Sequence, residues 1–242
     1  MPKTISDTLT ITWLQLLRFK AGWVWTPILL LFPFGMLFFA RYLVPEGVPI
    51  GPRLIAGSVV LSLGMTTVNI MANNLTWARF TFRQALIQAC PVHPLSYAAG
   101  NLLYFMTYAS IQACAILLFA PLFGIDIHLS VWFIPVAAFT SISLAGLALV
   151  VAFWSPNVQV GQMMATTVGV LVTIVSPIYF PASRLPDWLA AITLISPYTH
   201  AANALDRILS GDGGFYGEMA ILAAITAVGM AIGVAGMRWR EV

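Results

Sequence analysis

The sequence predicts an all-α membrane protein, and three observations carry that prediction. Hydrophobic residues make up 60% of the 242-residue chain and charged residues only 8%, against roughly 45–50% and about 25% in ordinary soluble domains. Several apolar runs reach about 20 residues, enough for a helix to cross ~30 Å of hydrocarbon. The few cations gather near the ends of those runs, as orientation signals do, and not in the patch that nucleic-acid binding needs. Lipid then completes the core, and a single membrane domain over 1–242 is the simplest organisation.

Hydropathy places six spans at about 24–44, 54–75, 96–120, 131–154, 158–180 and 217–237. A polar and basic leader, 1–23, precedes the first run, and no small-residue cleavage site follows it, so the reading is a retained span and not a signal peptide. Within the leader, Leu9, Trp13, Leu16 and Leu17 recur at helical spacing, with Thr12, Gln15, Arg18 and Lys20 largely elsewhere. That pattern fits a helix lying in the headgroup region, with a cytoplasmic extension of the first span as the alternative.

The second span carries Ser58, Ser62, Thr66, Asn69 and Asn73 at steps of three and four residues, hence on one helical face. The fifth repeats the device with Gln159, Gln162, Thr166, Gly169 and Thr173. Because the two spans run in opposite directions, both stripes put their amides at the cytoplasmic end and their hydroxyls outward. Two readings follow. The stripes line one transport pathway, with a wettable inner vestibule and a less polar outer seal, or they hold helices together through contacts that average only ~0.6 kcal/mol.

Between the second and third spans, 76–94 contains Arg79, Arg83 and Gln84, and two prolines that end any helix near Cys90. A short amphipathic helix with Phe82, Leu86 and Ala89 on one side fits, either as a surface helix or as a docking element. The segment 176–209, "SPIYFPASRLPDWLAAITLISPYTHAANALDRIL", is apolar but broken by proline. Pro177 and Pro181 stop the fifth span near the outer surface. Pro186 and Asp187 then start one helix with Leu185, Trp188, Leu189 and Ile192 as its stripe, and Ser196 with Pro197 starts a second with Ala201, Leu205 and Ile208 on one face. Ten to fourteen residues reach only ~15–20 Å, half a bilayer. The pair over 181–210 therefore reads as two re-entrant half-helices, or as two helices lying flat on the outer surface; either way it lids the outward end of the bundle.

An even number of spans puts both termini on one side, together with Lys3, Arg18, Lys20, Arg79, Arg83, Arg238 and Arg240; Arg41, Arg53, Arg184 and Arg207 fall opposite. Seven against four favours cytoplasmic termini. Several chemistries lack their parts. Cys90 and Cys114 have no zinc or CxxC spacing, and the predicted layout separates them. No GxxxxGK[ST] loop is present to hold ATP, and no acidic residue sits clearly within a span to relay protons. His93 is expected at the cytoplasmic face, His128 and His200 outside, so no histidine faces a serine within the bundle, as an intramembrane protease requires. His200 reads as a helix-start or interfacial residue.

The six spans, the loop "RFTFRQALIQACPVHPLSYAAGNLL" and above all the run of Pro177, Tyr179, Phe180, Pro181, Leu185, Pro186, Trp188, Leu189, Pro197 and Arg207 resemble the type-two ABC exporter permeases, over nearly the whole chain. The resemblance implies a permease dimer, built with a second copy or a homologous permease, that carries two separate ATPase subunits on its cytoplasmic face. It implies a coupling helix around Arg79, Phe82, Arg83 and Leu86 that enters a groove on the ATPase, braced by the leader around Leu9 to Lys20. It implies an outer gate formed by Pro177, Tyr179, Phe180, Pro181 and Trp188. ATP and magnesium belong to the partner; this chain needs no cofactor and no metal. Family members often carry acidic residues and a glycine where this chain has "FRQALIQA", so Arg83, Gln84 and Gln88 point to an unusual ATPase contact.

The function expected is export of an amphipathic or hydrophobic small molecule such as a drug, antibiotic or lipid across the cell membrane. The pathway would run along Ser62, Thr66, Asn69, Asn73, Gln159, Gln162, Thr166 and Thr173. Export of a polysaccharide or glycolipid by the same family is the alternative, and an integral-membrane enzyme a more distant one.

Overall fold

The computed structural model describes residues 3–22, 31, 33–39, 42, 51–81, 86, 87, 89–180, 182 and 185–236. No strand occurs among them. The helices are α1 (Lys3–Gly22), α2 (Pro52–Phe80), α3 (Pro94–Phe119, continued by a 3-10 turn Ala120–Phe123), α4 (Phe133–Trp154), α5 (Val158–Val175), α6 (Asp187–Thr193), α7 (Pro197–Leu209) and α8 (Tyr216–Ala235). Five of these helices, α2, α3 with its turn, α4, α5 and α8, are long and apolar enough to cross a membrane, and they coincide with the second to sixth expected spans. The first expected span lies mostly outside the described residues. In its described part, Leu37 is buried in the core and Phe34 meets Phe119 edge to face at 5.3 Å.

The packing is that of a chain whose solvent is lipid. α2 and α4 are largely buried, whereas most of α5 and α8 is exposed even though both are strongly apolar. Lipid tails are as apolar as leucine, so helices in a membrane associate through close backbone approach and interhelical hydrogen bonds, not through expulsion of water. Both are visible. Gly146 of α4 lies against the backbone of Gly229 on α8, and a Cβ at Gly233 would fall 2.7 Å from Leu149 Cβ. Beside these glycines, the Ser143 hydroxyl donates to Leu222 O at 3.3 Å and is hydrogen-bonded to Thr226. α5 buries Gly161, Ala165 and Gly169, one residue per turn, against the C-terminal half of α2.

α2 is not uniform. Residues Met65–Met71 form a π-helical stretch between two α-helical halves. Just before it, Gly64 accepts the Tyr198 ring of α7, where any Cβ would overlap the phenol. α7 is buried over most of its length, Ala201, Leu205 and Ile208 included, and starts as expected with Ser196 accepting from Tyr198 N at 3.3 Å and Pro197 in the first turn. α6 is shorter than expected, begins at Asp187 with Pro186 before it, and turns Trp188 and Ile192 outward. The two helices therefore differ: α7 is part of the core and α6 rides on its surface.

α1 lies along the start of α3. Gln15 donates to Asn101 Oδ1 at 2.7 Å, both side chains being buried, and Ser96 donates to Thr4 O at 3.3 Å. Ile11 occupies the space a side chain at Gly100 would need. The other side of α1 keeps Ile5, Leu9, Trp13 and Leu17 exposed. Residues 82–85 and 88 of the expected coupling helix are outside the described set; 86, 87 and 89 are helical.

Gly57 sets how closely α2 approaches the turn after α5, since a Cβ there would stand 2.6 Å from Ile178 O and 2.9 Å from Tyr179 Cδ1. Gly57→Ala should cost about 1–3 kcal/mol, the scale of overpacking a tight interior, read as a lower unfolding midpoint of the purified protein. Gly213→Ala, which meets nothing within 4 Å, should leave the midpoint unchanged.

Candidate functional site

The expected pathway residues divide into three groups. Ser62 and Thr66 are buried and both donate to one acceptor, Gln112 Oε1 on α3, at 2.8 and 2.6 Å. Asn73 donates to Asn69 Oδ1 at 2.8 Å, and this half-buried pair lies beside α5, with Asn69 Cβ 3.9 Å from the position of a Cβ on Gly169. On α5 itself Gln159, Gln162 and Thr166 are exposed and Thr173 half-buried; the two threonines return their hydroxyls to Gln162 O and Gly169 O. Within one chain the two stripes meet where Asn69 lies beside Gly169: Ser62 and Thr66 of the first are closed on α3, and most of the second lies on the open face of α5.

The end of the bundle where α5 stops holds the densest polar cluster. α5 ends at Val175, and the turn that follows leaves carbonyls without helical donors. Arg53, in the first turn of α2, supplies them: its Nη2 donates to Pro177 O at 2.7 Å and reaches Phe180 O at 3.5 Å. Its Nη1 donates to Asn203 Oδ1 at 2.7 Å and pairs with Asp206 Oδ2 at 3.5 Å. Asn203 passes the connection on, donating to Glu218 Oε1 of α8 at 3.2 Å. His200 completes it, with Nδ1 2.5 Å from Glu218 Oε2 and Nε2 2.8 Å from Leu194 O. Arg207 stands 3.9 Å from Glu218 Oε1 and donates to Gly214 O. Burial pushes the Asp206 carboxyl above its ordinary value, and Arg53 pulls it back.

Of the expected gate residues, Pro177 is buried beneath Arg53, Tyr179 packs on Gly57, Phe180 and Trp188 are exposed, and Pro181 lies outside the described residues. At the opposite end, Arg79 turns inward: its Nη1 donates to Phe153 O and Ser155 O, both at 2.9 Å, and to Ala152 O at 3.3 Å, capping the C-terminus of α4. Leu86 is 71% exposed. It borders an open, mainly apolar groove of about 710 Å³ formed with α1, lined by Lys3, Asp7, Leu14, Ile87 and Val92 among others. Phe82 and Arg83 lie outside the described residues.

Five helices long and apolar enough to cross a membrane thus carry a proline-broken segment packed into one end and a groove at the other. A sequence model of the family described as ABC-2 type transporter matches residues 7–209. The chain belongs to the ABC-2 type transporter family. A comparison with curated proteins returns no match. As an ABC-2 permease the chain is a membrane-embedded transport subunit, not itself catalytic, of a kind that works with separate ABC ATPase subunits.

Sequence reasoning missed Gln112, Asn203 and Glu218 as site residues, and counted Arg53 only as an orienting charge. One signal was available: an arginine, a histidine and two acids placed near the predicted ends of apolar helices must find partners there. Removing the hub should show its weight. Arg53→Met strands Asp206 and two carbonyls of a half-buried cluster and should cost about 1–3 kcal/mol, the scale of leaving polar groups without their partner. Arg53→Lys, which cannot fork between two acceptors, should fall between that variant and wild type in the unfolding midpoint of the detergent-solubilised protein.

Proposed function

We propose that this permease exports an amphipathic or hydrophobic small molecule, as one of two permease copies, or one of a homologous pair, bound to two ATPase subunits that carry ATP and magnesium. The observation that carries the reading is the open polar face of α5. Gln159, Gln162 and Thr166 are exposed there, while the small residues of the same helix are closed on α2. Amides left against hydrocarbon are costly; a facing permease and a wet path between the two relieve that cost. Asn69, Asn73 and Thr173 border the same side, whereas Ser62 and Thr66 contribute by fixing α2 to α3 through Gln112.

In this reading the chain is one domain with six spans, the first over 24–44, and both termini are cytoplasmic. α1 lies in the headgroup layer with Leu9, Trp13 and Leu17 toward lipid. The segment 181–210 dips into the membrane from outside and closes the path, with Pro177, Tyr179, Phe180, Pro181 and Trp188 at the gate. On the inner face, the contact with the ATPase falls to Leu86 together with Phe82 and Arg83, while Arg79 ties that loop to the end of α4 and so passes its movement to the bundle. Cargo of modest size fits the short outer loops better than a long sugar chain does.

Co-expression with the ATPase encoded beside it, followed by native mass spectrometry, should return two permeases and two ATPases. A permease that retains no ATPase would overturn the coupling assignment. Leu86→Asp should weaken the complex by about 1–2 kcal/mol, roughly 5–30-fold in affinity. Asn69→Leu with Gln162→Leu should reduce ATP-driven uptake of a fluorescent amphiphile into inside-out vesicles while leaving the complex assembled; uptake at the wild-type rate would remove these residues from the pathway.

A further inference from the structure

α2 is held at both ends. In its first turns Arg53 is bonded to Pro177 O and Asn203, and Gly57 lies against Ile178 O. In its last turn Arg79 caps α4 through Phe153 O and Ser155 O. Between these fixed points the π-helical stretch Met65–Met71 fits one more residue into its rise than α-helical turns would. Such a wide turn moves along a helix by exchanging i→i+5 bonds for i→i+4 bonds one at a time. The residues it passes rotate by about 100°, and the ends stay in place because the number of residues between them is unchanged.

The polar atoms around the stretch are matched to a second position. Gln112 is bonded at one end of its amide only: Oε1 accepts from Ser62 and Thr66, while Nε2 is buried and meets no partner among the described residues. With the amide turned over, its oxygen would be the bare atom, so one bond is open either way. Thr67 Oγ1 and Asn73 Oδ1 are likewise buried and unpartnered. In plain α-helical geometry Asn69 and Asn73 continue the face of Ser62 and Thr66, toward Gln112. An asparagine amide both donates and accepts, so Asn69, one turn from Thr66, suits the open end of Gln112 in either orientation. A shift of one residue also sets Val68 and Ala72 where Asn69 and Asn73 now stand beside α5.

We infer that the wide turn of α2 is a rotary switch: it migrates toward the C-terminal half, carries Asn69 from α5 to the open amide of Gln112, and replaces two amides beside α5 by Val68 and Ala72. The wall facing α5 changes from wettable to dry while Arg53 and Arg79 keep their partners. That this wall lines a transport path rests on the transport reading above; the rotation does not.

The test needs neither ATPase nor cargo. The full chain in lipid nanodiscs, with Cys90→Ser and Cys114→Ser, carries one of two cysteine pairs. Asn69→Cys with Gly169→Cys reads the position seen here, since the two Cβ atoms would stand 3.9 Å apart, within the ~3.5–4.5 Å of a disulfide. Asn69→Cys with Gln112→Cys reads the rotated position. Under copper-phenanthroline oxidation both pairs should close, the second roughly 10–1,000-fold more slowly, as trapping from a minor state of ~0.1–10% requires. Deleting Thr67 removes the extra residue and leaves both halves of α2 as they stand. In that chain the first pair should close as before and the second should not. No disulfide between 69 and 112, one that forms as fast as that between 69 and 169, or one that survives the deletion would each overturn the proposal. If the shortened chain does not fold, the two rates in the undeleted chain decide.

Discussion

The guanidinium of Arg53 is the contact on which the architecture at one end of the bundle depends. A membrane helix that stops short, as α5 does before Pro177, leaves carbonyls that lipid cannot satisfy. Arg53 reaches them from the first turn of α2 and in the same fork holds Asn203 and Asp206 of α7. The end of α5, the start of α2 and the buried α7 are thus tied together by one planar cation. Through Asn203 the tie extends to Glu218, so four segments distant in sequence meet around a few polar atoms.

Small residues do the complementary work. Gly57, Gly64 and Gly146 leave room for a backbone or ring from another element, and Gly161 and Gly233 for the side chains of Thr76 and Leu149. Close approach at these points gives the dispersion contacts that hold helices together where apolar burial offers no net drive. The bundle is consequently tight along α2 and α4 and open along α3, α5 and above all α8, which keep surface to offer a partner or the bilayer.

Hydropathy alone located α2, α3, α4, α5 and α8, because length and apolar content are local properties. The start of α7 was equally legible from Ser196 and Pro197. The π-helical stretch was not legible in the sequence. Reading Ser62, Thr66, Asn69 and Asn73 as one stripe assumes 3.6 residues per turn throughout, whereas the wider turns of Met65–Met71 shift the register by about one residue, roughly 100°. Ser62 and Thr66 consequently meet Gln112, while Asn69 and Asn73 lie beside α5. Pairings such as Arg53 with Asn203 span 150 positions and leave no local trace. Arg79 was read as a cytoplasmic orienting charge and part of the coupling helix; nothing near it in sequence announces the carbonyls of α4 that it caps.

The buried amide pair of Gln15 and Asn101 has a mechanical consequence. It fixes α1 to α3 without slack, and Ile11 in the notch at Gly100 prevents sliding. If α1 lies in the headgroup layer as proposed, its aromatic and aliphatic face would resist being raised or lowered, and a helix riveted to it would inherit that resistance. Where the bilayer is thinner or thicker than α3 prefers, the mismatch is then taken up by tilt of the whole α1–α3 unit. Membrane thickness becomes an input to the geometry of the bundle, and the lipid composition around this protein acts on it as a load.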